Sequence, residues 1–388
     1  MQHVIVTKNP TRRSKFNKKL LTLCCLCWMA FGSANLFGQT TQEKFDQIVK
    51  DWKAAAKVAS ISAGKFYLAK MSEADALKDE WKTAVEEGQR QMEMLIPVTL
   101  ELAKQPNPSQ DVVQLVVRFA EKEFEDGNIE KAYELTELVA EHSQSDQRWQ
   151  VVRVATAVLS NRFKEALRVK EMAPGISDML EDRPANLLRR VVEMDELYQK
   201  ELAIQEKEAK ADDLPRVKIK TTKGSAIVEL FENEAPNTVG NFIHLIENGV
   251  YQEMYFHRVI DQFMAQTGAF NSNGGQVQLP YTIYDECRTP EARLHFRGVL
   301  SMAKTPEPDT GGSQFFINFV PTPFLNNEHT VFGRVISGMD ALDQITRTHE
   351  IDGDGKEQLM KGVIPDRVIS ITIERKRDHE YLPDKVKK

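Results

Sequence analysis

Between Tyr255 and Gly268 the chain reads YFHRVIDQFMAQTG, and one residue is out of keeping with its neighbours. Arg258 stands among Phe256, Val259, Ile260, Phe263 and Met264, although a guanidinium is almost never buried without a partner. A permanently cationic, planar fork among apolar side chains suits the task of donating to a lone pair or a developing charge in a dry hollow. The plainer reading of Arg258 alone is an edge-strand residue whose charge snorkels to water. A second stretch, Gly298 to Phe319 (GVLSMAKTPEPDTGGSQFFINF), is followed by Phe324, Leu325 and His329. Taken singly, Phe263, Phe316 and Leu325 read as core residues, Gln266 and Gln314 as sheet-end hydrogen bonders, and His329 as a turn histidine. It is their order and spacing with Arg258 that point to chemistry.

In order, FHRV-I-x-x-FM-x-Q, then SMA…GSQFFI, then FL…H-x-VFG closely resemble the cyclophilin family of peptidyl-prolyl cis-trans isomerases, over about residues 215 to 376. The resemblance implies that Arg258 polarises the prolyl nitrogen and that Gln266 orients it. It implies a proline-ring pocket of Phe263, Met264, Phe316 and Leu325, with Phe324 and His329 on its rim. Gln314 and the backbone of Lys304 would hold the substrate main chain. The reaction is a rotation opposed by amide resonance, with a barrier of roughly 18–20 kcal/mol. No bond breaks, so no nucleophile, metal or cofactor is expected. Departures from the family pattern are Thr267 for a glycine, Phe324 for a frequent tryptophan, Lys304 for a frequent asparagine, and a loop lengthened by Pro306-Glu307-Pro308. A non-catalytic module that recognises proline-containing segments, or an assembly scaffold, is the alternative reading.

The elements that must hold these residues begin at Arg216, where apolar periodicity changes from helical to two. Val217 and Ile219, a turn at Thr222-Lys223-Gly224, then Ala226, Val228 and Leu230 predict a hairpin. Pro236 opens a helix carrying Val239, Phe242, Ile243 and Ile246 on one face. Strands are expected at Met254 to Ile260, Phe263 to Thr267, Val299 to Ala303, Phe315 to Phe319, Thr330 to Val335 and Val368 to Ile373, with a second helix over Gly338 to Thr348. Many strands with two helices predict a closed antiparallel β-barrel with two capping helices, the architecture the resemblance also implies. Asp352-Gly353-Asp354-Gly355 reads as a turn, because a calcium loop's terminal glutamate is missing.

Residues 41–210 read as all-α: Gly and Pro are sparse, and apolar positions recur at three and four. Ile129 and Phe163, like Ala132 and Ala166, stand 34 residues apart, the tetratricopeptide period, and the helical hairpins resemble such repeats. Binding or spacing is the expected job, with a protein partner for this part. His142 is expected at a solvated helix end, and the charge-dense run from Glu193 to Lys210 as a solvated helix. Asp212-Asp213-Leu214-Pro215 ends it, since proline disfavours helix in the residue before it. The expected organisation is therefore a signal peptide over 1–38, a helical domain over 41–210, a linker over 211–215, an isomerase domain over 216–376 and a charged tail over 377–388.

At 388 residues with net charge −6, the chain is long enough for two or three domains and lacks the basic face of a nucleic-acid binder. Lys8, Arg12, Arg13, Lys15, Lys18 and Lys19 precede an apolar run over Leu20 to Phe31 and then small residues, the order of an export signal. The expected location is periplasmic or otherwise extracytoplasmic, with no stable membrane span after cleavage; an uncleaved leader would act as an anchor. Cys24, Cys25 and Cys27 fall in the leader, so after cleavage Cys287 remains without an intrachain disulfide partner. The expected substrates are proline-containing segments of other exported proteins.

Overall fold

The computed structural model describes residues 40–68, 74–271 and 273–386. The expected signal peptide over residues 1–38, with its three cysteines, lies outside the described residues. Among these no helix is long and apolar enough to cross a membrane. The chain divides into two compact units, Met1–Val98 and Thr99–Lys388. In the first, α1 (Thr41–Leu68) pairs with the start of α2 (Ala74–Ala103). Phe66 stacks on Trp81 with ring centroids 5.8 Å apart, and Ser62 Oγ donates to Glu80 at 2.9 Å.

The second unit opens with two helical hairpins, α3 (Gln110–Glu125) with α4 (Ile129–Leu138) and α6 (Gln147–Leu159) with α7 (Phe163–Met172); a short α5 (Ala140–Ser143) lies between. Ser109 and Asp146 cap α3 and α6 by accepting from the first-turn amides, which have no helical carbonyl to donate to. The positions related by the 34-residue spacing, Ala120 with Val154 and Ala132 with Ala166, are all fully buried. Their small side chains let the helices of each pair approach. α8 (Asp182–Arg189) and α9 (Val191–Ala211) follow.

Helix α9 departs from the expectation of a solvated helix. Glu201 and Glu208 are buried, and both bind the buried Arg293, Glu201 through Arg293 Nε at 2.9 Å and Glu208 through Nη1 at 2.5 Å. Glu208 also accepts from Arg334 at 2.6 Å. Asn161, at the turn between α6 and α7, exchanges hydrogen bonds with the backbone of Arg297 at 3.0 and 3.2 Å. Tyr198 packs edge-on against Phe296 at 4.9 Å. Residues on both sides of Asp212–Pro215 thus share one compact unit.

The strands are β1 (Arg216–Thr221), β2 (Gly224–Leu230), β3 (Met254–Tyr255), β4 (Arg258–Ile260), β5 (Met264–Thr267), β6 (Val299–Met302), β7 (Phe315–Asn318), β8 (Val331–Ser337), β9 (His349–Ile351), β10 (Glu357–Leu359) and β11 (Arg367–Arg375). Two helices, α10 (Pro236–Glu247) and a short α11 (Met339–Asp343), accompany them. All strands join one sheet in the order β10-β9-β4-β5-β7-β6-β8-β2-β1-β11-β3. Every pairing is antiparallel save β4 with β9. The expected strands and two helices are present, but the ladder is not closed as expected. The run Met254 to Ile260 breaks at Phe256–His257, so that β3 pairs β11 and β4 pairs β5. A single bridge, Met254 to Asn271, spans the seam. Thr267 helps hold it, its hydroxyl donating to the Tyr255 carbonyl at 2.9 Å. Phe242, Tyr251, Phe315 and Phe332 fill the interior with centroid separations of 5.1–5.5 Å among neighbours. The tail also packs: Tyr381 is buried and donates to Glu232 at 2.9 Å, and the Val386 amide donates to the Thr282 carbonyl.

Candidate active site

Strand register brings the predicted residues together. Arg258 lies opposite Gln266 across β4–β5, and Gln266 lies opposite Phe316 across β5–β7. Alternation along each strand adds Ile260 and Met264 to the same face. Ile260, Met264 and Phe316 form a buried apolar cluster, against which Phe263, Ala303 and Leu325 pack half-exposed. The partly exposed side chains give this cluster an apolar floor facing solvent. Phe324 sits on a 3-10 turn, Pro323–Leu325, is 58% exposed, and lies 5.7 Å from the Phe263 ring. It stands at the rim, with Leu325 below it.

His329 meets the edge of Phe316 at 5.4 Å, and its Nδ1 lies 3.0 Å from the Met302 carbonyl. Burial holds its pKa below the ordinary histidine value. His295, which the sequence did not single out, stacks on Phe316 at 6.2 Å and is only 1% exposed. Desolvation pushes its pKa down to about 4. The floor is therefore lined by neutral imidazoles at physiological pH.

Gln266 does not orient Arg258 as expected. Its amide donates instead to Gln314 Oε1 at 3.0 Å. The fork of Arg258 is held by Glu357, with Nε and Nη2 each 2.7 Å from a different carboxylate oxygen. The physical reason is the partner: a carboxylate carries the opposite charge and accepts from two fork nitrogens at once, which a single amide oxygen cannot match. Arg258 Nη1 is left on the pocket side, 3.9 Å from Met264 Sδ, with the guanidinium 5.7 Å from the Phe263 ring centre. The Arg258 hydrogen bond is also the leading cause of Glu357's lowered pKa, so the pair is ionised. Glu357 arrives on β10, across a turn in which Asp352 Oδ1 accepts from the amides of Asp354 and Lys356 at 3.0 and 2.9 Å. Local sequence announced that turn but not the strand beyond it, nor its target 99 residues earlier.

Beside the floor lies a cleft of about 380 Å³ lined by Gln266, Ala303, Lys304, Gln314, Leu279 and Tyr281 among others. Gln314 thus faces both the apolar floor and the cleft. The Lys304 side chain is turned away, its Nζ 3.6 Å from Asp285 and hydrogen-bonded to the carbonyls of Thr305 and Glu307. One more side chain reaches this region without warning from the sequence. Arg183 of α8 sets its guanidinium 4.9 Å from the Phe263 ring centre and 5.4 Å from that of Phe324. Among the described residues, no group of three His, Cys, Asp or Glu side chains is placed to hold a metal ion.

The sequence pattern of the cyclophilin type peptidyl-prolyl cis-trans isomerase/CLD family matches residues 216–368. The peptidyl-prolyl cis-trans isomerase-like 1 protein of Aspergillus oryzae is 42% identical over 131 residues, which cover 32% of this chain and 78% of that protein. A peptidyl-prolyl cis-trans isomerase of Acinetobacter baylyi is 41% identical over 134 residues, covering 33% and 70% respectively. Among solved structures, a cyclophilin type peptidyl-prolyl cis-trans isomerase of Cryptosporidium parvum is 29% identical, with a TM-score of 0.34, covering 42% of this chain and 99% of that one.

Proposed function

The chain belongs to the cyclophilin-type peptidyl-prolyl cis-trans isomerase family, and from that premise we propose how its own residues carry the rotation. The proline ring enters the floor of Met264, Phe316, Phe263 and Leu325. Gln314 and the backbone at Lys304 hold the flanking main chain in the neighbouring cleft. As the prolyl amide twists, its nitrogen lone pair localises, and Arg258 Nη1 donates to it. That bond is available only near the twisted state, so it lowers the barrier without tightening the ground state. Apolar walls strengthen it, and the fixed fork needs no reorganisation at the moment of rotation. Gln266 acts one step removed, by holding Gln314.

The observation that carries this reading is the grip on Arg258: two nitrogens fixed by Glu357, the third beside Met264. The same grip favours the second reading, a module that binds proline segments without turnover, because the fork already has an anionic partner. Arg258→Ala separates them. The catalytic reading predicts that turnover of a proline peptide by the full chain falls about a hundredfold or more, and that cellular function falls with it. Function retained without turnover supports the binding module.

Substrates are proposed to be proline-containing segments of exported proteins, on the strength of the basic, apolar and small-residue order of the leader. Fractionation of cells making the full chain tests this; recovery from the cytoplasm alone contradicts it. The helical hairpins are proposed to be a tetratricopeptide-like surface for a protein partner, supported by their 34-residue spacing and buried alanines.

A further inference from the structure

Charge at the mouth of the pocket is almost fully spent. Arg258 is paired with Glu357, Lys304 with Asp285, and the imidazoles of His295 and His329 are held neutral by burial. Arg183 is the exception. It is half-buried, no hydrogen bond or ion pair engages it among the described residues, and its Nη1 is shut off from water with no acceptor. Burial depresses its pKa, and only the neighbouring Asp182 opposes this electrostatically. Such an arrangement costs stability, since a buried donor without an acceptor forfeits its hydration. What holds it there is the aromatic rim: its guanidinium lies against Phe263 and Phe324 together, and aromatic faces attract cations.

We propose that Arg183 is a specificity-determining residue of the isomerase site, selecting substrate segments that carry a carboxylate side chain close to the proline. The proposal rests on the isomerase reading of the pocket. With the ring seated on Phe263, Met264 and Phe316, a flanking aspartate or glutamate reaches the half-exposed guanidinium at the rim and supplies the anionic partner it lacks. The helical part then forms one wall of the substrate site. Stacking fixes the guanidinium plane in advance, so little side-chain freedom is lost when the carboxylate arrives.

The test is exchange NMR on the full chain with matched proline peptides, bearing Glu or Gln at one position within two residues on either side of the proline. At low salt the expected result is a kcat/KM about tenfold higher for Glu than for Gln at one or more positions. That preference should shrink in high salt. Arg183→Gln is expected to abolish it and Arg183→Lys to keep part of it. Arg189→Gln, on the same helix, is expected to leave it intact. Equal rates for Glu and Gln peptides at every position overturn the proposal, as does a preference that survives Arg183→Gln. Those outcomes leave the isomerase reading standing. Failure of the native chain to turn over any of the peptides removes that reading and the proposal with it.

Discussion

Arg258 shows how a single side chain is made useful by the one that binds it. Free, a guanidinium on a long stem samples many rotamers; fixed by Glu357, it presents one nitrogen in one place. On the proposed mechanism Glu357 is a positioning residue, and Glu357→Gln is expected to lower kcat/KM about tenfold with KM little changed, because a neutral amide cannot accept both bonds. Steady-state kinetics on a neutral proline peptide measures the split; a raised rate would show instead that Glu357 holds Arg258 back. Histidine protonation predicts a second behaviour. His295 is neutral in the native state with a pKa near 4, and ordinary when unfolded, near 6.5. Between those values the unfolded chain binds more protons, so the contribution is fully present above pH 6.5 and is lost as pH falls toward 4. For His295 the loss is on the order of 3 kcal/mol, and His257, also depressed to about 4, adds in the same direction. Urea midpoints at pH 7 and pH 4.5 read it directly. The turnover rate, by contrast, should stay flat from pH 7 upward through mildly alkaline pH, since the rotation breaks no bond and transfers no proton.

Among the elements, the β5–β7 edge is where backbone geometry and site meet. Gly268 ends β5 with φ of +87°, and an added Cβ would stand 2.3 Å from the Ser313 carbonyl. Gly268→Ala is expected to cost about 2 kcal/mol or more and to slow turnover by shifting Gln314; a urea midpoint and a rate check both. The floor of the pocket was legible in the chain because it is built locally. Arg258, Met264, Gln266 and Phe316 share a face through strand alternation and register, and period-two patterning shows that in advance. Glu357, Arg183 and His295 were not legible, because each meets the site through contacts with residues far away in sequence. The expected second helix, Gly338 to Thr348, proved to stop at Asp343, where Thr348 turns to tie its hydroxyl to the Val259 amide at 2.9 Å.

Across the second unit as a whole, buried ion pairs join helix to barrel. Arg293 answers Glu201 and Glu208, Arg334 answers Glu208 and Glu229, and Arg297 answers Glu130 and Asp343. A run as charged as α9 looks solvated in sequence, since partners 85 and 92 residues away leave no local trace. Arg293→Met leaves the buried Glu201 without its cation while Glu208 keeps Arg334, and is expected to cost about 3 kcal/mol. For the same reason the segment from Arg216 onward, produced alone, should melt below the full chain, with Arg293, Arg297 and Arg334 deprived of helical partners; scanning calorimetry on both decides it. The arrangement also makes Arg183's place at the rim a property of the whole unit and not of the barrel alone.

The central claim, that Glu357 holds Arg258 so that its third nitrogen meets the twisting prolyl amide, is tested most directly by a double-mutant cycle on turnover. Native chain, Arg258→Ala, Glu357→Gln and the double variant are compared on one neutral proline peptide. The account predicts that Glu357→Gln costs about tenfold with Arg258 present and almost nothing once Arg258 is gone. An equal cost in both backgrounds, or full activity in Arg258→Ala, contradicts it.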